Sequence, residues 1–147
     1  MPDTIRQRII DAIDTRFKAI LITGGYATNL GSNVFAWRTA AIDESELDAL
    51  VYRDRLQSRI ERASATFENN LSIEIEIFST SIPQIRKCLA DLESAIYVDP
   101  SWGGLAIWTD LAEEEMDIEQ KENIFTASKI LLMVDFLTII GDPYTQG

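Results

Sequence analysis

The side chains best placed to do chemistry are the carboxylates of "EEEMDIEQKE", where Glu113, Glu114, Glu115, Asp117 and Glu119 follow closely on one another. Carboxylates this dense could hold a hard cation or work as an acid–base pair. Their spacing lacks the D-x-D-x-D-G of a calcium loop, and consecutive charges beside a strand read as a solvated turn. The chain has no His and a single Cys, Cys88. Structural zinc, histidine triads and imidazole proton shuttles need those side chains and drop out. Cys88 lies beside Leu89 in a helical pattern and reads as a small semi-buried residue rather than a reactive thiol. Ser128 and Lys129 are neighbours in a strand pattern, so they point to opposite faces and cannot couple as nucleophile and base. Gly24-Gly25 and Gly103-Gly104 lack the context of a phosphate-binding loop and read as turns. The Asn70-Leu71-Ser72 sequon opens a strand in a chain with no export signal, so glycosylation is not expected. These residues predict no enzyme, no cofactor and no metal site.

The elements that would position such groups follow from periodicity. Ile5, Ile9, Ile13, Phe17 and Ile20 recur at helical spacing and predict an amphipathic helix over about 4–21, capped by Thr4 or Asp3 and stopped at Thr23-Gly24-Gly25. "VFAWRTA" (34–40) and "LDALVYRD" (47–54) read as strands, and 55–65 is left open between a helical turn and a loop. In "LSIEIEIFS", Leu71, Ile73, Ile75 and Ile77 share one face and Ser72, Glu74 and Glu76 the other. Ser81-Ile82-Pro83-Gln84 forms a capping box ahead of a second helix over about 82–97, ended by Asp99-Pro100. "LAIWTDL" is a strand, the acidic stretch follows, and "IFTASKILLMVDFLTII" is a long strand. Its two faces, Ile130, Leu132, Val134 and Phe136 against Leu131, Met133, Leu137 and Ile139, are both apolar. Such a strand is central in its sheet or shared with another subunit. The order predicts an α+β fold: a single-domain sandwich over 1–147, a mainly antiparallel β-sheet with two amphipathic helices packed on one face.

Composition bounds the rest. The chain has 147 residues, 46% hydrophobic and 25% charged, as in ordinary globular domains. Its 13 Lys and Arg against 24 Asp and Glu give a net charge of -11, which repels phosphate backbones and anionic lipid. No direct nucleic-acid binding is expected. The run "KILLMVDFLTIIG" is interrupted by Asp135 and falls short of the roughly 20 residues of a membrane span. A lone Cys and the absence of a signal-peptide pattern suggest the cytoplasm.

The C-terminal third carries a resemblance. "DPSWGGLAIWTDLAEEEMDIEQKE", a long strand and a terminal "GDPYTQ" resemble the small tail terminator, or tail completion, proteins of long-tailed bacteriophages and prophages, the group that includes minor tail protein U. The match covers most of the chain by element order and about 99–146 by residues. The chain has Phe136-Leu137-Thr138 where a basic-aromatic strand is frequent in that group. The resemblance implies a structural virion protein of the tail or neck, assembled in the host bacterial cytoplasm. It implies a homo-oligomeric ring, commonly a hexamer, that stops tail-tube growth and offers a head-joining surface. Its partners would be itself, the tail tube protein and a head-completion or connector protein. Trp102, Met133, Phe136, Asp142, Pro143 and Tyr144 are the candidate interface residues. The alternatives are another neck protein, or a small metal- or ligand-binding domain using the acidic 113–119 loop.

Overall fold

The computed structural model describes residues 3–120 and 124–147, by backbone alone at 117–120 and 124–126. Helix α1 (Ile5–Lys18) forms where expected: the Thr4 hydroxyl accepts from the Gln7 N–H at 3.1 Å, and Ile5, Ile9, Ile13 and Phe17 are buried. It stops earlier than 21. The glycines instead close a separate 3-10 turn (Ile22–Gly24), with Gly25 at φ 95°. The following loop folds back on the helix end, and a Cβ at Gly31 would lie 2.5 Å from the Lys18 carbonyl oxygen. That contact requires glycine.

Strand β1 (Val34–Ala36) is only three residues long, because Trp37 turns into the left-handed region at φ 55°. Strands β2 (Ala49–Arg62) and β3 (Thr66–Ser79) form one long hairpin turned at Ser64 and Ala65. The segment left open at 55–65 is therefore mostly strand. Helix α2 (Ile82–Tyr97) has Ser81 as its cap, accepting from the Gln84 N–H at 3.3 Å. Only half the capping box closes: the Gln84 amide reaches across to Asp48 at 2.8 Å instead. Strand β4 (Trp108–Gln120) begins later than expected and runs through the acidic stretch, strand β5 (Ile124–Ile139) follows, and the chain ends in strand β6 (Asp142–Gln146).

The sheet order is β1-β2-β3-β5-β4, antiparallel throughout except for the β1–β2 pair. β6 pairs with the end of β5, on the side that β4 leaves free beyond Trp108 and Asp135. Both helices lie on one face, as expected. Leu71, Ile73, Ile75 and Ile77 of β3 join Ile130, Leu132, Val134 and Phe136 of β5 and the apolar stripes of both helices in one core. The opposite face is only partly covered. At one end the loop from Trp37 to Asp48 brings Ile42 and Leu47, beside Phe35 of β1, over Ala49, Val51, Phe78 and Ala127, a second small core.

Candidate assembly surface

The uncovered face is read from the strand register. Rows of residues lie side by side across β2, β3, β5 and β4, and side chains in one row share a face. One row runs Glu76, Lys129, Glu115; the next Glu74, Leu131, Glu113; then Leu56, Ser72, Met133, Asp110; then Ser58, Asn70, Asp135, Trp108. Charge concentrates at one end, where Arg53 pairs with Glu76 at 2.9 Å and Arg55 with Glu74 at 2.6 Å. Leu131 sits half-buried between Glu74 and Glu113, and further on exposed Leu56, Ile60 and Trp108 and half-buried Met133 and Leu137 are interspersed with Glu68, Asp110 and Asp135. Trp108 meets the ring of Tyr97 at the end of α2, 6.0 Å between centroids, while among the described residues no helix covers the others, although β5 is flanked by strands on both sides.

The six candidate contact residues separate into three places. Trp102 and Phe136, each 1% exposed, belong to the core and offer nothing to a partner, a correction to the expectation for both. Met133 lies on the uncovered sheet face, its sulfur accepting from the Ser72 hydroxyl at 3.6 Å. Asp142, Pro143 and Tyr144 sit together on β6. The Asp142 carboxylate accepts from the Tyr144 N–H at 3.1 Å and the Thr145 hydroxyl at 2.6 Å, while the Tyr144 carbonyl accepts from Arg8 at 3.1 Å. A cleft of about 360 Å³ opens beside them, between Arg6, Arg59, Phe67, Ile139 and Pro143.

Trp102 is held by a lock that explains "DPSWGG". The Asp99 carboxylate accepts from the Ser101 N–H and hydroxyl and from the Gly103 N–H, at 3.0, 2.6 and 2.8 Å. The Ser101 hydroxyl, those N–H groups and nearby Arg16 keep it below the usual carboxylate range. The knot turns Trp102 inward at φ 53°, where its indole N–H donates to the Thr109 hydroxyl at 2.7 Å and the Arg16 guanidinium lies 3.9 Å from its ring centroid. The Gln146 amide then reaches the Gly104 carbonyl at 2.5 Å, tying the chain end to the same turn.

The acidic stretch is strand, not loop, so Glu113 and Glu115 share a face and Glu114 takes the other. The side chains of Asp117 and Glu119 lie outside the described residues. Among the described residues no three Cys, Asp or Glu side chains gather as a metal-binding set. Ser128 is buried and donates to the Glu115 carbonyl, with Lys129 on the opposite face, as alternation requires. Cys88 is fully buried, and burial pushes its thiol up to about 12. No helix among the described residues is long and apolar enough to cross a membrane. The chain matches no protein-family model, and no curated protein matches it.

Among the features that escaped the sequence are the long arm of β2 and the strand character of the acidic stretch. Each strand carries a bulge, between Asp54 and Leu56 and between Leu111 and Glu113. A bulge shifts the alternation by one residue, so a period-2 count across it fails. In β2 the local signal was the alternation of Leu56 and Ile60 with Gln57, Arg59 and Glu61, which keeps the even-numbered phase of Leu50 and Tyr52 while the bulge carries it to the opposite face.

Proposed function

We propose that the chain is a structural protein of a phage or prophage tail that assembles as a ring, terminates the tail tube and presents a surface to the head. The observation that carries this reading is the uncovered sheet face, where, among the described residues, Leu56, Ile60, Leu131, Met133 and Leu137 have no helix over them. Apolar surface left on a folded sheet marks contact with another chain. The resemblance of 99–146 to tail terminators supplies the setting, and β6 with exposed Pro143 and Tyr144 adds a second region for contact. The acidic residues lend less support to a metal- or ligand-binding domain, since a strand splits them between two faces.

The test is genetic. Removing the gene from its phage or prophage should give overlong tails without heads, seen by electron microscopy, and supplying the chain in trans should restore length. Tails of normal length that fail to join heads would favour a neck protein instead. Unchanged virions would overturn both.

A further inference from the structure

Two strands of this sheet each keep one open side. β2 has β1 beside it only from Leu50 to Tyr52, with the Trp37 N–H continuing to the Tyr52 carbonyl at 2.9 Å. From Arg55 to Arg62, among the described residues, no strand lies on that side. β4 is the last strand at the other end of the sheet. Its start is occupied, since the Leu111 N–H donates to the Tyr97 hydroxyl at 3.1 Å, but from Ala112 onward its outer side also faces no strand among the described residues. An open edge displays unpaired N–H and C=O groups that can template another strand.

Charges on edge strands ordinarily guard against such pairing. A guard works with one sign on both edges, because like then repels like. Here the signs are opposed. The open part of β2 carries Arg55, Arg59 and Arg62 against Glu61, whereas β4 carries Glu113, Glu114 and Glu115 and no Lys or Arg at all. Arg55 and Arg62 already lean on Glu74 and Glu68 of the hairpin, but Arg59 is exposed and donates to no acceptor among the described residues. Pairing β4 with β4 would set carboxylate against carboxylate, and pairing β2 with β2 would set guanidinium against guanidinium. Only the unlike pairing matches. The strands β2, β3, β5 and β4 alternate in direction, so a second copy's β2 laid antiparallel on β4 continues the sheet and keeps both copies' helices on one side.

We infer that the acidic edge of β4 pairs antiparallel with the basic edge of β2 on a second copy of this chain, head to tail. A contact between two different surfaces repeats from copy to copy, closing into a ring if the rotation allows and otherwise growing as a filament. The inference deepens the ring reading above and rests on it only for closure.

The test uses the intact chain and light-scattering mass against concentration. Four proteins are compared: wild type, Arg59→Glu, Glu114→Lys and the double variant. Both positions are exposed, and thermal melts check that the variants fold. Each single change should weaken association by roughly tenfold or more, while the double variant, and an equimolar mixture of the two singles, should return to within about threefold of wild type. Tighter association of Glu114→Lys alone would overturn the inference in favour of β4 pairing with β4. Self-association untouched by either single change would overturn the edge pairing and leave the ring reading standing. A wild type that stays monomeric at millimolar concentration would also overturn the pairing, while tail length in the gene-deletion test judges the terminator reading independently.

Discussion

A buried tryptophan in a glycine-rich turn looks in sequence like a surface anchor, and the chemistry around Trp102 shows why it is not. Its left-handed backbone is held by Asp99, its indole N–H is satisfied by Thr109, and Arg16 covers its face. Replacing Trp102 with Ala should cost about 3 to 5 kcal/mol in urea unfolding, as for other buried aromatics. A loss below about 1 kcal/mol would mean the ring is dispensable to the core. A second residue-scale prediction concerns Glu46. Its hydrogen bonds from the Arg38 side chain and the Asp43 N–H hold its carboxyl down to about 2, from an ordinary value of 4.5. Because the folded value lies below the unfolded one, the ion pair's support for the 37–48 loop is present above pH 4.5 and is lost as pH falls toward about 2. An NMR titration of the Glu46 carboxyl should show the depressed midpoint, and Arg38→Ala should raise it. A midpoint near 4.5 in the unaltered chain would mean the pair does not form in solution.

Elements with an unbroken period were legible. The helices could be read from Ile5, Ile9, Ile13 and Phe17, and from Ile85, Leu89, Leu92 and Ile96, because each set repeats on one side without interruption. β3 was equally plain in its central stretch, and its buried set faces both helices. Ile75→Ala should therefore cost about 2 to 5 kcal/mol, whereas Glu74→Gln, which loses only half-exposed ion pairs to Arg53 and Arg55, should cost under about 1. Equal losses in paired denaturation curves would contradict the assignment of faces. Other elements were not legible, for local reasons. The bulges at Arg55 and Ala112 reverse the phase of β2 and β4. β6 was not identified as a strand, because Asp142-Pro143 is turn chemistry and the pairing that makes it a strand comes from β5. The core role of Trp102 depends on Arg16 and Thr109, contacts no local pattern reveals. The surface position of β6 and Met133 was thus legible, and the burial of Trp102 and Phe136, which tertiary contacts draw inward, was not.

For the whole molecule, two electrostatic effects of opposite sign compete in self-association. Each chain carries a net charge of -11, so copies repel as bodies at long range. The proposed β4–β2 contact brings unlike charges together across neighbouring strands, at separations of about 5 Å. Salt acts on the two at different concentrations. The screening length falls from about 30 Å at 0.01 M to about 8 Å at 0.15 M, which removes most of the body repulsion while leaving charges in adjacent strands in contact. Only near 1 M, where it is about 3 Å, are the paired edges themselves screened. Association measured by light scattering should therefore strengthen from low to physiological salt and weaken again toward 1 M. Arg59→Glu, which removes the local attraction and adds to the repulsion, should abolish the second phase, so that its association only rises with salt. A wild type that strengthens steadily up to 1 M would assign assembly to the apolar sheet face alone, with the charged edges as bystanders.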